Sequence, residues 1–238
     1  MPYVLAPTIK KSLQGLWQEG SPYTSKVIYD ICDPDPKKPP VHYEAHTLKP
    51  HSICHFDAPA HIVAGEPTID KLFSTSPSIF YGPVLIVRLK KQNFMPRPRQ
   101  NNWSHWEVTK EEILDASEGY NFLNLQKIFL TFDGAEEDFY INPNRAFTIS
   151  SEAAKWLTSL RKFNLFGTIW RSTDFQPDSR ERPIHIELFK RAGILECLDL
   201  SKVPSGEYYL SAFPLPIEGA SESPVCPVLY SKNEISCN

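Results

Sequence analysis

A single mixed α/β domain over residues 1–238 is the fold class that this sequence predicts. Short runs of β-branched and aromatic residues lie between Pro or Gly residues, which is typical of strands. A few segments with capping residues and helical periodicity lie between these runs, and this arrangement indicates a mixed α/β fold. The sequence shows no internal repeat and no linker rich in Ser or Gly, so we expect the chain to fold as one unit.

Five apolar runs predict the strands, and three capped segments predict the helices. The predicted strands cover residues 27–32, 81–89, 127–132, 208–213 and 225–230. Residues 109–117 begin with a Thr-x-x-Glu capping box, and residues 150–160 combine a Ser cap with apolar periodicity. The third helix, residues 184–192, begins after Pro183 and ends at Gly193.

Residues 90–106, KKQNFMPRPRQNNWSHW, mix basic residues with aromatic residues and prolines. Such a mixture can indicate stacking on single-stranded nucleic acid. The formal net charge of the chain is −3, however, and nucleic-acid binding normally requires a basic surface. We therefore predict a long surface loop with His105 in solvent, and no nucleic-acid partner.

Composition and motifs exclude several other classes. None of the ten glycines shows the spacing of G-x-G-x-x-G or of G-x-S-x-G, and Ser21 stands where a phosphate-binding loop beginning at Gly15 would need Lys. The five cysteines are scattered without a C-x-x-C pair, which predicts reduced thiols. No apolar run approaches the roughly 18 residues of a membrane span, so we expect a cytoplasmic protein with no membrane partner.

The segment most informative about function is residues 50–61, PHSICHFDAPAH, which contains three of the seven histidines. In an extended chain the odd-numbered residues His51, His55, Asp57 and His61 would share one side. The residues on the other side are small or apolar, as expected for a face in the core: Ser52, Cys54, Phe56 and Ala58. Imidazoles with a carboxylate suit zinc, manganese or iron(II). The alternative is a polar loop with surface histidines.

This segment resembles the H-x-G-T-H-x-D-A-P-x-H signature of the cyclase-like metal-dependent hydrolases, the family of bacterial kynurenine formamidase and isatin hydrolase. Residues 182–198, RPIHIELFKRAGILECL, resemble the family's H-x-x-L-L-x-x-G-I-x-x-x-E-N-L segment. Residues 212–229, AFPLPIEGASESPVCPVL, resemble its A-L-P-L-x-I-x-G-x-x-x-S-P-V-R-A-V-L strands. The similarity spans most of the chain.

The resemblance implies a swivelling β/β/α domain with a mixed or barrel-like sheet, assembled as a homodimer or homotetramer. It also implies two divalent metal ions per chain, zinc or manganese. His51, His55, Asp57 and Glu196 would hold one ion. His185 would hold the second ion together with the bridging carboxylates of Asp57 and Glu196.

The resemblance further implies hydrolysis of an amide bond in a small molecule by water that the metal activates, with His61 as the general acid/base. An aryl formamide such as N-formylkynurenine is the first candidate substrate, and a cyclic amide or lactone such as isatin is the second. Trp17 would line the substrate pocket, the alternative being a core tryptophan. A metal-binding or ligand-binding module that has lost catalysis is the alternative from another class of protein.

Two of the implied ligands also have a physical rationale. His185 lies in the first turn after Pro183, where the positive helix end is expected to keep the imidazole neutral. Glu196 lies in an apolar strand, where a buried carboxylate needs a partner. The alternatives are a solvent-exposed histidine at a helix start and a carboxylate on an exposed strand face. The family's Gly-Thr is Ile53-Cys54 here, which predicts a narrower or reshaped pocket.

Overall fold

The computed structural model describes residues 1–35, 37–97, 102–175 and 180–235. Residues 98–101 of the predicted loop and Cys237 lie outside these ranges. The strands are β1 Tyr3–Val4, β2 Tyr23–Tyr29, β3 Tyr43–Leu48, β4 His55–Asp57, β5 Tyr81–Leu89, β6 Met95–Arg97, β7 Trp103–Val108, β8 Lys127–Phe132, β9 Arg145–Ile149, β10 Leu165–Thr168, β11 Gly193–Glu196, β12 Gly206–Ser211, β13 Glu222–Pro224 and β14 Val228–Tyr230. The α-helices are α1 Ile69–Thr75, α2 Lys110–Ala116, α3 Ser151–Ser159, α4 Pro183–Leu188 and α5 Lys232–Ile235.

Within the described chain, one curled mixed sheet joins strands in the order β1-β14-β12-β5-β8-β10-β11-β4-β13. The middle strands β5, β8, β10 and β11 run parallel, and β4 pairs with β11 in the antiparallel direction. Glu196 at the carboxyl end of β11 therefore lies opposite His55 at the start of β4. This register brings two distant parts of the sequence to one edge of the parallel strands, where open α/β sheets bind ligands.

The core explains why β4 can lie so close to β11. All six residues of β8 are buried, and apolar residues of the neighbouring strands continue this core. Phe56 on β4 packs directly over Gly193, where an added Cβ would lie 2.2 Å from Phe56 Cζ. Any larger residue at position 193 would push the two strands apart.

The predicted elements agree with this structure except at several ends. The strands at 81–89 and 127–132 and the helices α2 and α3 are confirmed, including the capping box of Thr109 and Glu112. The first predicted strand instead ends at Tyr29, where the hairpin of β2 and β3 ends. Helix α4 ends at Leu188, four residues before the predicted end.

The prediction of a loop over residues 90–106 is wrong for much of the segment. Strands β6 and β7 form within it, and β7 pairs in parallel with β9. His105 is only 5% exposed, because Trp106 beside it is buried against Phe132 and Phe147 and anchors β7 in the core. The described cysteines are free thiols, as predicted. None of the helices in the described ranges has the length and apolar character needed to cross a membrane.

Candidate metal centre

The cluster of residues 51–61 is not the single extended segment that we predicted. A 3₁₀ turn at Pro50–Ser52 precedes β4, and another at Pro59–His61 follows it. Each turn begins with a proline, whose fixed φ suits the first position of a helical turn. The turns bring the first and last histidines together, so that the ring centroids of His51 and His61 lie 4.6 Å apart.

The opposite side of this segment behaves as predicted, because its small and apolar residues are all buried: Ser52, Cys54, Phe56 and Ala58. Burial of this side fixes the backbone of β4 against the core. His55 and Asp57 are buried as well, with 0% of each residue exposed. The centre therefore lies between the sheet edge and the turns rather than on an open surface.

Asp57 is the group of the centre that most needs a partner for its charge. Both of its carboxylate oxygens are buried, and neither has a hydrogen-bond partner. Oδ1 lies 3.4 Å from Nε2 of His55, and Oδ2 lies 3.9 Å from Nε2 of His185. Burial alone would raise the pKa of Asp57, but the neighbouring imidazoles, first that of His55, hold this pKa below its usual range. A bare carboxylate in such a place calls for a cation.

His55 directs one nitrogen toward Asp57. Its Nδ1 lies 2.8 Å from the carbonyl oxygen of Ile53 and donates to it, so that Nε2 is the nitrogen that faces the carboxylates. Burial alone would lower the pKa of His55, but the charge of Asp57 raises it well above its usual value. Nε2 lies 3.1 Å from Nδ1 of His51 and 3.6 Å from Oε2 of Glu196. A backbone carbonyl that fixes the tautomer in this way is the usual arrangement behind a metal-ligating histidine.

His185 has the same arrangement with a carboxylate behind it. Its Nδ1 lies 2.6 Å from Oδ2 of Asp174, and its Nε2 lies 3.5 Å from Oε1 of Glu196. Burial alone would lower the pKa of His185, but the hydrogen bond to Asp174 and the charge of Glu196 raise it. The prediction that the helix end favours a neutral ring is thus wrong in direction, since α4 is short and Asp174 accepts from the backbone N–H groups of Ile184 and His185.

Glu196 ends β11 and is 3% exposed. The backbone N–H of Thr173 donates to its Oε1 at 2.7 Å. Burial, reinforced by the charge of Asp57, raises the pKa of Glu196 to about 7. The next residue, Cys197, has a left-handed φ of 60°, a conformation that costs energy in a residue with a side chain. The chain leaves the sheet sharply just beyond this carboxylate.

His51 and His61 lie at the accessible side of the centre. Burial, followed by the charge of His55, lowers the pKa of His51 to about 4, and burial also lowers the pKa of His61. Glu222 on β13 lies 3.9 Å from His51 Nε2 and 3.9 Å from His61 Nδ1. Both imidazoles are therefore neutral near pH 7 and available as ligands or bases.

A pocket of about 260 Å³ opens onto these groups. The described residues that line it are Trp17, His51, His61, Arg171, Ser172, Arg182, His185 and Glu196. Trp17 is held there by its Nε1–H, which donates to the carbonyl oxygen of His51 at 2.9 Å. The structure thus places Trp17 beside the histidines rather than in the core.

The donor set could hold a metal ion. His55, Asp57 and Glu196 offer ligand atoms within 4.8 Å of one another, and so do His51, Asp57 and His61. Asp57 belongs to both groups, as expected of a carboxylate that two ions share. His61 joins the second group, although the resemblance assigns it to proton transfer. Neutral imidazoles with carboxylates are the ligands of zinc, manganese and iron(II) sites.

Two further histidines and the Ile53-Cys54 pair do not line the pocket of the centre. His42 and His46 are exposed on the hairpin of β2 and β3, where His46 Nδ1 lies 3.1 Å from the hydroxyl of Tyr23. Neither Ile53 nor Cys54 lines the pocket beside the histidines, and Cys54 instead lines a separate cavity of about 440 Å³. The predicted narrowing of the pocket is therefore not what the structure shows, because Cys54 packs in the core and Ile53 adopts an ordinary extended φ of −137°.

Sequence reasoning did not assign four groups that the structure brings to the centre: Thr173, Asp174, Glu222 and Arg171. A signal existed for Asp174, since residues 167–175 resemble a further segment of the family, G-x-D-x-x-S-x-D-P, in which Gly167, Ser172 and Asp174 keep their places and Ile169 replaces the first aspartate. Glu222 precedes the Ser-Pro-Val of the closing strands at a position that the pattern leaves open. Nothing in the sequence alone pairs these residues with His185 or His61.

Comparison with known proteins accords with this centre. The family model described as "Putative cyclase" matches residues 7–174, which include the whole cluster on β4 and its two turns. The chain belongs to the putative cyclase family. A relative, the kynurenine formamidase of Polaromonas naphthalenivorans (strain CJ2), is 28% identical over 191 residues, or 80% of this chain and 75% of that protein.

Solved structures share the cyclase fold at low identity. Isatin hydrolase A from Labrenzia aggregata superposes with a TM-score of 0.72 at 19% identity, over 98% of this chain and 94% of that one. Isatin hydrolase A from Ralstonia solanacearum gives a TM-score of 0.72 at 22% identity, over 97% and 92% of the two chains. A further crystal structure described as a novel cyclase gives a TM-score of 0.73 at 17% identity, over 97% and 88%. The curled mixed sheet is therefore the family fold.

Proposed function

We propose that this chain is a metal-dependent hydrolase that cleaves an amide bond in a small molecule. The observation that carries the proposal is the carboxylate of Asp57, whose two buried oxygens face ring nitrogens of His55 and His185 and accept no hydrogen bond. The other nitrogens of those rings are bound to Ile53 and Asp174, which leaves both Nε2 atoms for a cation. The kynurenine formamidase relative supports an aryl formamide such as N-formylkynurenine as substrate.

Five residues would hold two divalent ions, zinc or manganese. The ligands would be His51, His55, Asp57, His185 and Glu196. Bound ions of this kind polarise a carbonyl and lower the pKa of water toward neutrality. Glu196, with a pKa of about 7, would gain its full negative charge when it binds a cation, because the cation removes the penalty that burial imposes.

His61 would move the proton. Its pKa is lowered by burial, so the ring is neutral at pH 7 and can accept a proton from the attacking water. Glu222, 3.9 Å from Nδ1, would orient the ring, and the nitrogen that does not face Glu222 would return the proton to the departing amine. Trp17 and His51 line this pocket together with His61, and the hydrogen bond from Trp17 to the backbone of His51 would hold the indole beside the substrate.

The test combines metal content with turnover. Protein purified without chelator should contain zinc or manganese by elemental analysis and should hydrolyse at least one member of a panel of aryl formamides, cyclic amides including isatin, and lactones. His61→Ala should keep the metal and lose at least about 100-fold in kcat. His46→Ala, an exposed histidine on the hairpin, is the matched control and should keep both.

Other outcomes would redirect the proposal. Protein that holds no zinc, manganese or iron(II) after reconstitution would contradict it. Metal binding without turnover of the panel would favour a binding module that has lost catalysis. If His61→Ala loses metal in proportion to activity, His61 is a ligand, as its place beside His51 and Asp57 allows.

A further inference from the structure

Arg171 stands between the pocket of the candidate centre and a second cavity. It lines the pocket of about 260 Å³ beside His61 and His185. It also lines a neighbouring cavity of about 670 Å³, together with Leu16 and Tyr140. Arg171 follows β10 at the carboxyl edge of the parallel strands, so a ligand that reaches the histidines from this cavity would pass its guanidinium.

Three indole rings hold the guanidinium. Its central carbon lies 5.3 Å from the ring centroid of Trp17, 5.1 Å from that of Trp103 and 5.5 Å from that of Trp170. These distances are within the range of cation–π contacts. Trp103 and Trp170 meet edge to face at 6.1 Å, and Trp17 is bound to the backbone of His51. The three indole rings therefore hold the Arg171 guanidinium in position.

Among the described residues, no carboxylate is a cause of the pKa shift of Arg171, and its Nε is buried without a hydrogen-bond partner. Burial lowers the pKa of Arg171, yet a guanidinium remains charged in proteins. Its donors form a planar fork that matches the two oxygens of a carboxylate. The acidic residue that lines the same pocket, Glu196, is already engaged by Thr173 and His185.

We propose that Arg171 binds a carboxylate of the substrate at a distance from the amide that is cleaved, so that the chain prefers anionic amides to neutral ones. This inference rests on the proposed function and adds a substrate class to it. Arg145 is a useful contrast, because it lies 4.0 Å from the ring centroid of Phe94 but donates to Gln92 and lines no part of the pocket.

The experiment measures a preference rather than an activity. Metal-loaded wild type, Arg171→Met, Arg171→Lys and Arg145→Met are assayed on 2-, 3- and 4-formamidobenzoate and on the corresponding neutral formamidobenzamides. The ratio of kcat/KM for acid over amide should favour the acid in wild type for at least one isomer. Arg171→Met should lower that ratio about 10- to 100-fold through KM, and Arg171→Lys should lower it less. Arg145→Met should keep the ratio.

The outcomes separate this inference from the proposed function. Hydrolysis without a preference for the acid, or with a preference that survives Arg171→Met, would overturn the inference and leave the hydrolase standing. If no formamide is cleaved, calorimetric titration with the aminobenzoates and aminobenzamides decides instead. A preference for the acid that depends on Arg171 would then support the anion site while the assignment of an aryl formamide as substrate fails. The lack of any such preference would overturn the anion site, and the hydrolase proposal would still be decided by the cyclic amides and lactones of its own panel. Metal content and the thermal midpoint show whether Arg171→Met is folded. If it is unfolded, the comparison of wild type with Arg171→Lys decides the test.

Discussion

His185 and His105 are two buried histidines whose neighbours act on them in opposite directions. His185 is 3% exposed and His105 is 5% exposed. Burial lowers the pKa of both, but the carboxylate of Asp174 at 2.6 Å reverses the direction for His185. Nε2 of His105 lies 2.7 Å from the hydroxyl of Thr148, and its Nδ1 lies 3.4 Å from Nη2 of Arg97. Burial, followed by the charge of Arg97, lowers the pKa of His105 to about 4.

The groups at the two ring nitrogens distinguish a histidine of the centre from one that packs in the core. The ring of His105 stacks on Phe175 with centroids 4.2 Å apart, one of its nitrogens meets the hydroxyl of Thr148, and the other faces the cationic Arg97. At His185 one nitrogen meets Asp174, and the other faces Asp57 and Glu196. Carboxylates near both nitrogens of His185 favour a positive charge or a bound cation there, whereas the guanidinium beside His105 and the phenyl group on its face favour a neutral, packed ring.

The largest expected effect is at the carboxylate that faces His185. Asp57→Asn removes the negative charge and keeps the size, so metal affinity should fall by more than about 100-fold, beyond the usual loss from changing a supporting residue. Elemental analysis and competition with a chelator measure it. His42→Ala, on the exposed segment before β3, is the control and should retain metal. Equal metal content in both variants would contradict the assignment.

The pH dependence of stability should differ in sign at the two histidines. The pKa of His105 falls from 6.5 to about 4 on folding, so its contribution is complete above pH 6.5 and is lost as the pH falls toward 4. Relative to His105→Gln, the free energy of unfolding of metal-free wild type should fall by no more than about 3 kcal/mol between pH 7 and pH 4. Denaturant unfolding at each pH measures this. The comparison of wild type with His185→Gln should show the opposite slope. Because the pKa of His185 is raised on folding, this histidine stabilises the metal-free fold below pH 6.5, and that stabilisation is lost as the pH rises. Parallel curves for the two variants would refute the comparison.

Asp174→Asn changes the partner of Nδ1 of His185 without changing a proposed ligand. The amide keeps a hydrogen-bond acceptor for His185 but loses the charge that holds the ring, so metal affinity should fall about 10- to 100-fold. Turnover at saturating metal should recover in part, since the ligands themselves remain. Thr148→Val, which changes the partner of His105, is the matched control. A loss of metal affinity in Thr148→Val as large as that in Asp174→Asn would argue against two separate roles.

The smallest effect is expected at the packing histidine. Thr148→Val leaves Nε2 of His105 without its hydroxyl partner, and the free energy of unfolding should fall by about 1 kcal/mol at pH 7. Urea denaturation at constant metal content measures this. An unchanged midpoint would show that water replaces the hydroxyl, and His105 would then be less enclosed than its 5% exposure indicates.

The cluster at 51–61 could be predicted because its members are close in sequence and the prolines limit their conformations. His185 and Glu196 could be predicted only through a family pattern, since their contact with Asp57 depends on the pairing of β4 with β11. Asp174 matches a family position that does not tell its role, and Glu222 stands at a position that the pattern leaves open, because each meets its histidine only after the sheet has formed. His105 was misplaced since a segment with several prolines and arginines resembles a loop, whereas the burial of Trp106 by distant aromatic rings decides its structure.

The pairing of His55 with Glu196 joins parts of the chain about 140 residues apart, and this has a consequence for folding kinetics. Contacts of such high sequence separation are slow to form, because the intervening loop must close before they contribute. The donor set is then complete only in the native state, and an ion that binds it stabilises that state by mass action. We therefore expect zinc or manganese to slow unfolding strongly and to leave the refolding rate nearly unchanged, so that metal loading sets the lifetime of the folded protein rather than the speed of its formation.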